Sequence, residues 1–264
     1  MTDLSLRYDV NALALRNRGQ FHPALFNPLY EGDGDSEQWS GHSSSRAEGL
    51  LELNSGAVSS LEGRLAGITA TQSTGSKQLD YDQTNGLMKA AAADKNLIIP
   101  HLDNAHLFRW VFFIGRFKTT GAATDVGTLA HINGITGATT ARKPALLYWR
   151  DLDEVGSVWR DSSEHFEAQV DHPSDDDIFW LVSRIRSSDG KNLVSINGGD
   201  EVVSSDSNYS PPSGGSLTGL IGDFAGAWTG AVAELGLGSL ELVDDKLDFL
   251  NTVAALRVSE IKET

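Results

Sequence analysis

From about residue 46 onward, short apolar runs recur between clusters of Gly, Asn, Asp and Ser. The run LLELN precedes SGAVSS, KQLDYD leads into an Asn85-Gly86 turn and LMKA, and NLIIP follows. Residues 107–117, LFRWVFFIGRF, are apolar on both alternating faces, the pattern of a central strand covered on each side. PALLYWRDL, SVWRD, HFEAQVD and IFWLVSRIR continue the series, rich in aromatic and β-branched residues. Asp189-Gly190, between IFWLVSRIR and NLVSING, predicts a hairpin, and Asn197-Gly198 predicts a second reversal before DEVVSS. There is no internal repeat. Many short strands between turn signals predict an all-β antiparallel sandwich rather than alternating β and α units.

Both ends of the chain depart from this pattern. Near the C-terminus, Leu247, Leu250 and Ala254, with Val253 beside them, fall on one helical face. Asp244 and Asp245 suit its N-terminus and Arg257 suits its last turn, so a short capped helix is expected, held by its apolar stripe. At the other end, residues 1–45 are interrupted by Pro, Gly and a Ser run and carry apolar residues at irregular spacing. They read as an extended N-terminal arm ahead of a sandwich spanning 46–264. Phe21, Leu25, Phe26, Leu29 and Tyr30 are too apolar for a solvated tail and are expected to dock on an assembly or a neighbouring subunit.

Composition narrows the classes of function. Lys and Arg number 21 against 36 Asp and Glu, a formal charge of −15, which argues against nucleic acid and against anionic membranes as partners. A hydrophobic fraction of 40% with 22% charged residues is that of a folded domain. There is no Cys, hence no disulfide, thiol nucleophile or Cys-based zinc site. The opening MTDLSLRYDVNALALRNRGQF lacks the apolar core of a secretory signal, so folding is expected in the compartment of synthesis.

Four stretches together resemble the concanavalin A-like lectin/glucanase superfamily, in its laminin G-like branch. They are LELNSGAVSSLEGRLAGITATQSTGSKQLDYDQTNGLMKA, FRWVFFIGRF, WLVSRIRSSDGKNLVSINGGDEV and GLIGDFAGAWTGAVAELGLGSLELVDDKLDFLNTVAALR. In order they are similar to the family's opening strands, its long central strand, its Asn-Gly hairpin, and its closing strand with terminal helix. The resemblance covers roughly residues 46 to 258 and implies a jelly roll in which Glu234 is structural. Members of this compact type are similar to bacteriophage virion components such as capsid decorations, head fibres and tail proteins. It therefore implies a non-enzymatic virion protein, with a homo-oligomer or other virion proteins as partners.

Candidate chemistry is sparse. The segment EGDGDSE offers Glu31, Asp33, Asp35 and Glu37 at alternating positions. Glycosidases of the superfamily resemble one another in a Glu-x-Asp-x-Glu strand, where period-2 geometry sets two carboxylates on one face. The glycines here read instead as a loop. Asp33, Asp35 and Glu37 also suit calcium, a hard cation taking oxygen ligands, although a solvated acidic loop accounts for them and no cofactor is required. Asp175, Asp176 and Asp177 read as a charged turn. No Gly-x-Ser-x-Gly elbow, His-Glu-x-x-His pair or phosphate loop is present.

Aromatic residues remain. Trp110, Trp180 and Trp228 lie in apolar runs and are expected in the core. Tyr148, Trp149, Trp159 and Tyr209 flank polar turns, with Asp151, Asp153, Arg160 and Asp161 nearby, and form a candidate exposed glycan platform. A virion structural protein, a free lectin and a polysaccharide-cleaving enzyme are the three readings left, the last weakened by the missing carboxylate strand.

Overall fold

A computed structural model describes residues 36–90, 95–102, 108–119, 127–132, 145–150, 154–160, 165–171, 174, 177–210, 217–221 and 228–263. The elements begin with β1 (Glu37–Ser40), a one-turn helix α1 (Ser43–Ala47), β2 (Leu51–Asn54) and β3 (Ala57–Glu62). Next come β4 (Thr69–Thr71), β5 (Leu79–Asp82), β6 (Leu87–Ala90), β7 (Leu97–Leu102) and β8 (Trp110–Thr119). The middle of the chain gives β9 (Gly127–Ile132), β10 (Ala145–Arg150), β11 (Glu154–Arg160), β12 (His165–Asp171) and β13 (Phe179–Arg186). The last are β14 (Lys191–Ile196), β15 (Val202–Val203), β16 (Leu217–Ile221), β17 (Trp228–Gly238) and the helix α2 (Asp244–Glu263).

Every strand pairing among these residues is antiparallel, and the pairings resolve into two layers. One runs β15–β14–β13–β8–β17, with β1 and β6 sharing the far edge of β17 at its opposite ends. The other runs β2–β3–β4–β7–β16–β9–β10–β11–β12. The β5–β6 hairpin joins them, since β5 also pairs with β3. The expected all-β sandwich is the observed fold.

Strand β8 shows why a doubly apolar run was needed. Val111 and Phe113 point into the core between the layers, among Trp39, Leu61, Leu181 and Leu235. Trp110, Phe112 and Ile114 point the other way, into a second core under α2. There the helix lays down Leu247, Leu250, Val253, Ala254, Val258 and Ile261, its stripe at helical spacing. Trp110 is in this core as expected. Trp180 is half-buried at its margin, where its indole N–H donates to Asn251 Oδ1 at 2.9 Å.

Two sequence expectations need correction. The domain does not begin at residue 46: β1 is an integral strand, pairing Glu37 with Leu237 and Ser40 with Glu234. Residues 36–45 therefore belong to the sandwich, and the arm proper lies outside the described residues. Arg257 does not sit in the last turn of the terminal helix. The helix runs 20 residues, to Glu263, and Arg257 is buried mid-helix, where a charge needs a partner more than a dipole.

Candidate functional site

The expected aromatic platform divides. Tyr148 and Trp149 lie in β10, opposite Gly156 and Val155, and Arg160 ends β11 opposite His165. Asp151, Asp153 and Asp161 lie outside the described residues, as do Phe21, Leu25, Phe26, Leu29, Tyr30, Asp33 and Asp35. Trp159 and Tyr209, expected to be exposed, are 1% and 7% exposed. The reason is the second layer. The indole N–H of Trp159 donates to Ser183 Oγ at 2.7 Å, inside a buried network in which Asn192 bridges Ser157 and Ser183. That network ties β11 to β13 and β14 and pairs the buried polar groups of Ser157, Trp159, Ser183 and Asn192 with one another. The Tyr209 ring meets Trp159 edge-on at 5.8 Å.

Beside Tyr209 lies a groove. A cavity of about 220 Å³ opens at the β13–β14 turn, walled by Ile185, Tyr209, Arg109, Arg186, Asp189 and Asn208, with Ser187 and Ser188 on the rim. Ile185 and Tyr209 belong to the inter-layer core, so the groove lies where that core reaches the edge of the sandwich. Its shape is set by backbone. Gly190 turns at φ +64°, its N–H donates to Arg186 O at 2.8 Å, and its carbonyl accepts from Tyr209 N–H at 3.1 Å. A Cβ at Gly190 would come within 2.4 Å of Tyr209 N, so only glycine lets the 208–209 segment close on the hairpin.

The charges of the groove differ in their commitments. Arg186 grips Asp189 with two hydrogen bonds, Nε to Oδ1 at 3.0 Å and Nη2 to Oδ2 at 2.6 Å. That contact holds the Asp189 carboxyl below its ordinary range. Arg109 is half-buried, and no carboxylate pairs with its guanidinium among the described residues. Its backbone is clamped from both sides: its N–H donates to Gly238 O at 2.8 Å, and its carbonyl accepts from Ile185 N–H at 2.7 Å. Arg109 was not a sequence candidate. The available signal was slight: Arg109 and Arg116 are the two cations of the 107–117 run, and Arg109 stands just ahead of β8, where a long side chain can reach a rim.

The acids that burial perturbs most are elsewhere and are spoken for. Glu37, a calcium and glycosidase candidate on the sequence, is buried and turned inward. Its carboxylate accepts from the backbone N–H groups of Gln38 (2.9 Å), Leu65 (2.9 Å), Ala66 (3.2 Å) and Ile68 (3.0 Å). Burial pushes its carboxyl up while those four donors pull it back. With its oxygens occupied, Glu37 is a brace for the 63–68 loop rather than a metal ligand or a catalyst. Glu234, fully buried, accepts from Arg257 Nε at 3.2 Å and from Gln38 Nε2 at 3.0 Å. Burial raises its carboxyl, opposed first by the Arg257 charge. His42, beside this cluster, is pushed down to about 4 by burial and by Arg257 and Arg64. Among the described residues no group of three or more His, Asp or Glu side chains is placed to hold a metal ion. No helix among them is long and apolar enough to cross a membrane.

No protein-family model matches the chain, and no curated protein does. Solved structures match its fold. The botulinum neurotoxin serotype D binding domain aligns with a TM-score of 0.56 over 87% of this chain and 53% of that one, at 15% identity. The botulinum neurotoxin type G receptor-binding domain aligns at 0.54 over 82% and 50%, with 12% identity. Trypanosoma rangeli sialidase in complex with sialic acid aligns at 0.54 over 84% of this chain and 33% of that one, with 10% identity. The chain spans between a third and about half of the length of these structures. What they share with it is a β-sandwich fold.

Proposed function

We propose that the chain is a carbohydrate- or receptor-binding module, not a hydrolase, and that its ligand enters the groove beside Tyr209. The observation that carries this reading is the groove itself. It gathers guanidinium, hydroxyl and amide groups around a small, mainly polar opening, with the buried Ile185 and Tyr209 closing its base. Such a set of donors suits the hydroxyls of a sugar. Glu37 and Glu234, whose carboxyls burial raises, serve the fold and leave no acid–base couple on them. The likeness to receptor-binding domains supports the binding reading, while the likeness to a sialidase makes hydrolysis the outcome to exclude.

A glycan array probed with the full chain tests this, read beside a reducing-end assay on the same glycans. Binding that falls at least tenfold in Asn208→Ala, with no new reducing ends, is the expected result. Sugar release that survives Asn208→Ala overturns it. Placement on a virion, with Phe21, Leu25, Phe26, Leu29 and Tyr30 as the attachment, is what the laminin G-like resemblance implied. None of the three structures named above is a virion protein, and co-sedimentation with assembled particles is the test of that separate proposal.

A further inference from the structure

We infer that the groove selects a carboxylate-bearing sugar, a uronic acid or a similar acidic residue, through the guanidinium of Arg109. This rests on the reading of the groove as a glycan site and names the class of ligand it takes.

Three observations carry it. First, the wall of the groove is net positive in a protein of net charge −15. Arg109 and Arg186 stand against the single acid Asp189, and that acid is already engaged by Arg186 and by the Lys191 N–H at 3.2 Å. Second, the two arginines are not equivalent. Arg186 has its charge balanced and its fork filled, so it adds position more than attraction. Arg109 has no carboxylate among the described residues, although the chain carries 36 acids. Third, the root of Arg109 is fixed, because its backbone bonds to β17 on one side and β13 on the other. A guanidinium on a rigid root meets a planar carboxylate with two parallel hydrogen bonds, at less entropic cost than a lysine on a loop. Partial enclosure strengthens that attraction relative to open water. Asn208, Ser187 and Ser188 then face the ring hydroxyls.

The test compares uronic-acid-terminated oligosaccharides with their carboxyl-reduced counterparts, which keep the ring and replace COO⁻ by CH2OH. Titration calorimetry on the full chain is expected to show at least tenfold tighter binding of the acidic form. Arg109→Ala is expected to abolish that preference and leave weak binding of both forms, and Arg109→Lys is expected to restore it only in part. Thermal unfolding should be unchanged in both variants, because Arg109 acts here through its side chain and the fold uses its backbone. Sulfated oligosaccharides form a separate arm; equal or tighter binding of sulfate overturns the assignment to carboxylate. Equal affinity for acidic and reduced sugars, lost in Asn208→Ala, overturns the inference and leaves the glycan reading standing. Absence of binding by every sugar overturns both.

Discussion

Two regions of this sandwich use the same residue types to opposite ends. At the β1–β17 edge, Arg257 and Glu234 pair with 3% and 1% of their side chains exposed, and Glu37 spends its carboxylate on backbone amides. At the β13–β14 turn, Arg186 and Asp189 pair with 40% and 33% exposed, beside an Arg109 without an acidic partner among the described residues. Burial decides the difference. An ion pair out of water must be complete, because each half left alone costs several kcal/mol, so the first region is closed to any other chemistry. A pair in water costs little to make or exchange, and the second region stays open to a visitor. Perturbed titration in the first region therefore marks packing, and gives no sign of an acid–base couple there. Glu37, His42 and Glu234, whose titration burial dominates, belong to the clasp, whereas Asp189 in the groove is shifted first by its contact with Arg186.

The largest expected effect follows from β1. A chain beginning at residue 46 loses β1, the Glu37 brace and the Gln38 contact with Glu234, and is expected not to fold. A chain beginning at residue 36 keeps all three and is expected to give a cooperative thermal transition. Comparable unfolding of the two by circular dichroism would show that the clasp is dispensable.

Next comes the pair itself. Glu234→Gln is expected to cost about 3 kcal/mol in urea denaturation, because it removes the buried carboxylate facing Arg257 and leaves that charge only the longer contact with the partly exposed Glu260 at 3.6 Å. Glu234→Leu with Arg257→Leu is expected to recover most of that loss, since apolar groups of similar size need no partner. A double variant as unstable as the single one would mean that charge is not what the clasp supplies.

The smallest effect is a pH dependence. His42 is kept neutral in the fold, down to about 4, while the unfolded chain takes up its proton near 6.5. The stabilisation this gives is complete above pH 6.5 and is lost as pH falls from 6.5 to 4. Glu37 and Glu234 act the other way, since their raised carboxyls favour the fold on protonation. His42→Gln should therefore flatten the loss of melting temperature across that window. An unchanged slope would remove His42 from the clasp.

The sequence made much of the architecture legible, because local periodicity and packing agree there. The doubly apolar β8, the Asp189-Gly190 and Asn197-Gly198 reversals and the stripe on α2 all carry their neighbours in their spacing. What it hid is long-range pairing. Glu234 and Arg257 stand far apart in the chain, and only the crossing of α2 over β17 joins them. Glu37 looked like a solvated acid because Gly and Asp surround it, yet the pairing of β1 with β17 turns it inward. Trp159 and Tyr209 flank polar turns, which suggested exposure, and the facing layer covers them. Arg109 carried no clear signal, since Arg116 interrupts the same run, and only the fold brings it beside the turn at Gly190.

The helix over the outer face of β8, β13 and β17 has a consequence for geometry of approach. That face cannot serve as a landing surface on which a long polymer lies flat, because α2 already occupies it. The groove sits instead at the tip of the hairpin, where access is along the axis of the sandwich. On the proposed reading, such a mouth would take chain ends and side branches rather than the interior of a polysaccharide.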